Sequence, residues 1–275
     1  MKTLFVTDLD GTLLGSDSRV SAVSARILSE LNSRGALVTV ATARTPATVV
    51  PLLEHTGMHV PAIVMTGASL WDFSTSGYLE PILFPPGVAS QTVSEFVSAG
   101  VNPFVYALGE DGRLTVLHNG GMTRHEDSFY QERRNLPLKR FVLDTADGYA
   151  TVYKDVILLL GIGETPRIEA VAERLRVYGT LSVSAYQDIF NPKISYIEVF
   201  ASGVSKADAV MRVKEMTGAD RVVVYGDNLN DLPMFAVADE AVAVANARPQ
   251  VLAAADRIIG RNTDDSVAKD MMERM

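Results

Sequence analysis

Short apolar runs alternate with helical spacing along most of this chain. Leu4-Phe5-Val6 reads as a strand, and residues 21–33 place Val23, Ile27, Leu28 and Leu31 on one helical face. Gly35 then stands where a helix C-cap is expected. Residues 37–41 form a second apolar run, Pro46 suits the first turn of a helix reaching about residue 55, and residues 62–65 form a third run. Strand–helix–strand–helix–strand with continuous apolar strands predicts a parallel sheet covered on both faces.

The pattern changes near Pro81, and Pro85-Pro86-Gly87 punctuates the chain. Helix 88–99, strands 101–107 and 114–117, a polar helix 123–134 and strand 156–160 follow. Helix 166–178 and strands 181–185 and 194–199 complete what reads as an α+β unit with an antiparallel sheet. Alternation resumes after Gly203, with helices 206–216, 229–236 and 249–254, strands 222–225, 241–245 and 257–259, and a terminal helix from residue 264. The second unit therefore reads as inserted into the first. The expected core is 1–81 plus 192–275, an α/β Rossmann-like parallel sheet with helices on both faces, and the insert is 82–191. Insertion of this kind is tolerated because domain termini tend to lie close together.

Composition supports a folded, two-unit chain. It has 275 residues, 47% of them apolar and 21% charged, which permits a sizeable core and excludes global disorder. The net charge of −8 argues against nucleic acid as the main partner, since such binding rests on Lys and Arg neutralising phosphates. A small phosphorylated ligand stays compatible, because a few local cations and a metal suffice. Arg133-Arg134 and Lys139-Arg140 read as an exposed helix end and loop. The absence of cysteine excludes disulfides, thiolate metal sites and Cys nucleophiles. No secretory pattern opens the chain, and runs such as Val156-Ile157-Leu158-Leu159-Leu160 are far too short to span a bilayer. The expectation is a soluble, cytoplasmic protein with no membrane or protein partner implied. His55, His59, His118 and His125 lack metal-ligand spacing and read as surface or helix-end residues, and Trp71 reads as a packing residue near the core edge.

The chemistry concentrates where strands are expected to end. Thr7-Asp8-Leu9-Asp10-Gly11-Thr12 follows the first strand directly. In extended chain, Asp8 and Asp10 face the same side, and two like charges there repel unless a cation or a shared proton sits between them. A metal site, an acid–base pair or both would resolve that cost, and an acidic turn is the bland alternative, since Asp-Gly is a common turn dipeptide. Three more polar clusters lie at predicted strand or helix ends: Ala41-Thr42-Ala43-Arg44, Lys206, and Gly226-Asp227-Asn228-Leu229-Asn230-Asp231. In open α/β sheets ligands bind at the carboxyl ends of the strands. Helix capping accounts for one polar residue of the last cluster at most.

In this order the four clusters resemble the motifs of the haloacid dehalogenase-like superfamily of phosphotransferases, specifically its Cof-type sugar-phosphatase branch, with the insert where that branch carries its cap. The resemblance implies a Mg²⁺-dependent phosphatase acting on small phosphomonoesters, most commonly sugar phosphates. Asp8 would be the nucleophile, forming an aspartyl-phosphate. Asp10 would protonate the leaving alcohol and then take a proton from the attacking water. An ordinary Asp titrates near ~3.9, so this role implies an apolar shelter or a hydrogen bond to the neutral form. Asp8, Asp227 and the main-chain carbonyl of Asp10 would hold Mg²⁺, with Asp231 as a water-mediated ligand. Thr42, Lys206, Asn230 and the backbone N–H groups of Leu9 and Ala43 would grip the phosphoryl oxygens, and Arg44 would face the substrate.

The chain departs from the branch at two places: Ala43 stands where Gly is usual, and Thr66-Gly67 replaces Asn-Gly after the third strand. A phosphosugar mutase would use the same intermediate and return the group to the sugar. A receiver-type signalling domain also clusters aspartates, a Thr and a Lys, but it carries its acceptor Asp on the third strand and is far shorter. A catalytically dead binding protein would have no need of the intact acidic and basic groups.

Overall fold

The N-terminal apolar run forms β1 (Thr3–Thr7) in the computed structural model, which describes residues 1–109, 111–143, 154–188 and 191–275. α1 (Ala22–Ser33) follows, capped by the Ser21 side chain accepting the Ser24 N–H, and Gly35 takes a positive φ just past its end. β2 (Leu37–Val40) and α2 (Pro46–Leu53) come next, with Pro46 in the first turn. β3 (Ala62–Val64), β4 (Ser69–Asp72) and β5 (Gly77–Leu79) then form a three-stranded antiparallel sheet. β4 and β5 were not expected: each is only a few residues long, and turn-forming Ser74, Thr75 and Ser76 separate them. The third apolar run is thus no full member of the parallel sheet, which it meets through the single bridge Ala41–Ile63. Trp71 on β4 packs as expected, 1% exposed and edge-on to Tyr78.

The inserted unit runs α3 (Val88–Ser98), β6 (Phe104–Leu108), β7 (Leu114–His118), α4 (Arg124–Arg133), β8 (Lys139–Leu143), β9 (Val156–Glu164), α5 (Thr165–Arg176), β10 (Leu181–Gln187) and β11 (Ile194–Ala201). Its sheet order is β10-β11-β9-β6-β7-β8, antiparallel throughout except for β7 against β8. Phe96 of α3 and Ile168, Val171 and Leu175 of α5 pack with Val105, Leu159, Ile197 and Val199 of the sheet to make its core. Burial of each such side chain stabilises by about 1.5–3 kcal/mol relative to exposure. Lys139-Arg140, expected in a loop, lies in β8, and Lys139 is buried because its strand pairs with β7. His118, expected at the surface, is buried on β7 with its ring 4.3 Å from that of Phe104.

The chain divides into two compact units, Met1–Glu80 with Ser205–Met275, and Pro81–Val204. The expected return to the core at residue 192 is too early, because β11 pairs with β9 and β10 and completes the inserted sheet. Strand β11 is set in its sheet by these partners.

The core resumes with α6 (Lys206–Thr217), β12 (Arg221–Gly226), α7 (Leu232–Val237), β13 (Glu240–Val244), α8 (Pro249–Ala254), β14 (Arg257–Ile259) and α9 (Ser266–Glu273). Its five-stranded sheet has the order β14-β13-β12-β1-β2 and is parallel in every pair. β2 lies on one side of β1 and β12 on the other, so strand order reverses at β1. Such a reversal opens a crevice beyond the carboxyl ends of the strands. At the amino ends of β12, β13 and β14, Glu240 binds Arg221, Arg257 and Arg274 together. Among the described residues no helix is long and apolar enough to cross a membrane.

Candidate active site

β1 runs parallel between β2 and β12, which brings the residues beyond their carboxyl ends together. Asp8 continues β1, its N–H donating to the Tyr225 carbonyl at 3.0 Å. The chain then turns sharply through a short helical turn, Leu9–Leu13, with Gly11 at φ +83°. A Cβ at Gly11 would stand 2.4 Å from Asp227 Oδ2, so glycine is required both for the backbone angle and for the approach of Asp227. Thr12 Oγ1 donates to Asp227 Oδ1 at 3.0 Å, and Asn246 Nδ2 donates to the Gly11 carbonyl at 2.8 Å.

Lys206 is the first residue of α6, which Ser205 caps by accepting the Asp208 N–H. Its side chain is 1% exposed, and Nζ donates to Asp8 Oδ1 at 2.6 Å and to Asp231 Oδ1 at 2.8 Å. Asp231 Oδ2 accepts the backbone N–H groups of Asp227 and Asn228 at 3.0 and 3.1 Å. Both oxygens of Asp231 are therefore engaged, and its main work is to anchor Lys206 and the turn after β12.

Burial pushes the Asp8 carboxyl up to about 7, with Lys206 opposing that rise and Asp231 adding to it. Burial, and next the charge of Asp231, push Asp227 up to about 6. Burial works against the Lys206 ammonium, yet Asp8 and Asp231 overrule it and hold the amine well above its ordinary range. One ammonium thus faces a surplus of carboxylates, which is the charge imbalance that a divalent cation relieves. Carboxylate oxygens of Asp8, Asp227 and Asp231 all lie within 4.8 Å of one another, and oxygen-only donors suit a hard cation such as Mg²⁺.

Thr42 is 1% exposed, and its Oγ1 accepts the Arg44 N–H at 3.1 Å, which leaves the hydroxyl hydrogen free to donate elsewhere. Ala43, which stands where glycine is usual, is exposed. Thr66 sits in the left-handed region at φ +59°, where Asn is at home and a β-branched residue is strained. Asn230 is exposed in the short turn Leu229–Asp231. Asp10 departs from expectation. Its side chain is 54% exposed, without an apolar shelter, and Arg44 binds it through both Nε and Nη2 at 2.7 and 2.5 Å. Arg44, expected toward the substrate, is thus committed to Asp10. The structure brings Asp8, Asp227, Asp231 and Lys206 into one cluster and pairs Asp10 with Arg44. Thr12 and Asn246 were given no role on sequence, although both follow strand ends of the parallel sheet, where such roles are found.

The family model for haloacid dehalogenase-like hydrolases matches residues 5–271. Pyridoxal phosphate phosphatase YbhA of Escherichia coli is 24% identical over 95% of this chain and 94% of its own. The 5-amino-6-(5-phospho-D-ribitylamino)uracil phosphatase YcsE of Bacillus subtilis is 27% identical over 97% of this chain and 93% of its own. Among solved structures, a haloacid dehalogenase-like hydrolase from Bacteroides thetaiotaomicron superposes with a TM-score of 0.82 at 23% identity, covering 100% of this chain and 99% of that one.

Proposed function

The chain belongs to the haloacid dehalogenase-like hydrolases, and from that premise we propose that it hydrolyses small phosphomonoesters, sugar phosphates among them, through an acyl phosphate formed on Asp8. The observation that carries this is the cluster itself: a buried Lys206 bridging Asp8 and Asp231, with Asp227 close enough to share a cation. Pyridoxal phosphate and a ribityl phosphate stand in the names of two relatives, and both are small phosphorylated molecules.

Asp8, Asp227 and the main-chain carbonyl of Asp10 would hold Mg²⁺, with Asp231 behind them. The ion supplies charge neutralisation, so that an anionic carboxylate and an anionic phosphate can approach. Lys206 fixes the rotation of the Asp8 carboxylate through Oδ1. An Asp8 oxygen attacks phosphorus, the ester P–O bond breaks, and the departing oxygen takes a proton from Asp10. Water then attacks the phosphoryl group, gives a proton back to Asp10, and the bond to Asp8 breaks to release phosphate. Thr42, Lys206, Asn230 and the N–H groups of Leu9 and Ala43 donate to the phosphoryl oxygens, which stabilises charge where it develops. The insert selects the leaving group.

Phosphate release is measured across sugar phosphates, nucleotides and cofactor phosphates, with Mg²⁺ and with chelator. The expected result is turnover of at least one small monoester that stops on chelation and in Asp8→Asn. Undiminished turnover in Asp8→Asn would overturn the assignment.

A further inference from the structure

Lys206 opens α6, and Arg212 on the same helix reaches two backbone carbonyls far apart in sequence. Its Nη2 donates to Gly67 O at 2.6 Å and its Nη1 to Glu80 O at 3.1 Å, and Nη1 lies 3.5 Å from Glu80 Oε2. These acceptors are specific places. Glu80 is the last core residue before the insert, and Ser205 is the first core residue after it. Gly67 packs directly on Ser205: at φ +96°, its added Cβ would stand 2.2 Å from the Ser205 carbonyl oxygen. Arg212 therefore holds the departing end directly and the returning end through Gly67.

Glu80 adopts φ +48°, a left-handed conformation that is strained for a side-chain-bearing residue. The bond to its carbonyl opposes relaxation to ordinary backbone, which would redirect the chain as it leaves the core. A guanidinium suits this task, since its fixed fork of donors bridges two acceptors at once, whereas an ammonium is a single point donor.

We propose that Arg212 is a positioning residue: it pegs both junctions of the insert to the helix that carries Lys206, and so sets how sharply the enzyme discriminates among leaving groups. This rests on the phosphatase reading above and on the insert as selector of the leaving group.

The test compares wild type, Arg212→Ala and Arg212→Lys on glycerol, pentose and hexose phosphates, primary-alcohol esters that differ in size. Hydrogen exchange is followed in the same proteins. In Arg212→Ala the spread of kcat/KM between best and poorest substrate narrows by about tenfold, while the poorest changes by less than about twofold. Arg212→Lys falls between. Exchange quickens beside Glu80 and Ser205 and stays unchanged in β1 and β12. A uniform fall on every substrate, or unchanged spread with unchanged exchange, would overturn the proposal. Wild-type protein that releases no phosphate from any of them would instead overturn the phosphatase reading, and exchange alone then decides whether Arg212 pegs the junctions.

Discussion

Arg44 grips the Asp10 carboxylate at both oxygens, Nε to Oδ2 at 2.7 Å and Nη2 to Oδ1 at 2.5 Å. Held this way, both carboxylate oxygens are occupied as acceptors. In the proposed reaction Asp10 must deliver a proton to the leaving oxygen, so the pair has to part or turn as substrate enters. Arg44 also sets where that carboxylate waits. Arg44→Ala is therefore expected to lower kcat on alkyl phosphates, whose alkoxide needs the proton, by about tenfold or more. Aryl phosphates with acidic phenols need little protonation and keep most of their rate. Equal losses on both ester classes would show that Arg44 serves phosphate binding and not the proton transfer.

The carboxylate cluster is expected to couple metal binding to pH. Asp8 is raised from 3.8 to about 7 and Asp227 from 3.8 to about 6. The folded protein then holds protons that the unfolded chain has released, so these two groups make stability fall as pH rises from 3.8 toward about 7. Glu240 acts in the opposite sense. Its hydrogen bonds to Arg274 lead in lowering it from 4.5 to about 2, a contribution present above 4.5 and lost as pH falls through about 2. Thermal unfolding in chelator is expected to show greatest stability in weak acid and a decline toward neutrality. Added Mg²⁺ should reverse that decline, with a stabilisation that grows with pH because it displaces fewer protons. A Mg²⁺ shift of constant size between pH 5 and 8 would contradict this coupling.

Two backbone positions test the geometry without touching the charges. Thr66 at φ +59° pays for a left-handed conformation that Asn tolerates, so Thr66→Asn is expected to raise stability by up to about 1 kcal/mol. Gly11→Ala would place a Cβ 2.4 Å from Asp227 Oδ2 and should weaken Mg²⁺ binding together with stability. Chemical denaturation gives the first, and calorimetric titration with Mg²⁺ the second. A destabilised Thr66→Asn would mean that the threonine side chain does something useful there that its backbone angle does not reveal.

The parallel core was legible because its strands are continuous apolar runs and its helices carry recognisable end signals, as at Gly35 and Pro46. Asp8, Asp227, Asp231 and Lys206 were legible because each lies at an element end in motif order. What escaped reading is what depends on pairing. β8 contains Lys139-Arg140 and became a strand only by lying against β7. β11 joined the insert because its partners are β9 and β10. The Arg44–Asp10 pair joins residues from two different loops, and no local pattern announces whether an arginine faces a ligand or a neighbouring carboxylate.

The central claim is that phosphate passes through a bond to Asp8. The most direct measurement is acid quenching during turnover with Mg²⁺, reduction by borohydride, and mass spectrometry of the peptide that contains Asp8. An aspartyl-phosphate is reduced to homoserine, so the account predicts homoserine at position 8, enriched in Asp10→Asn, where the acyl phosphate is expected to break down slowly. Steady phosphate release in which Asp8 is recovered unmodified at every quench time, in Asp10→Asn as in the wild type, would contradict it.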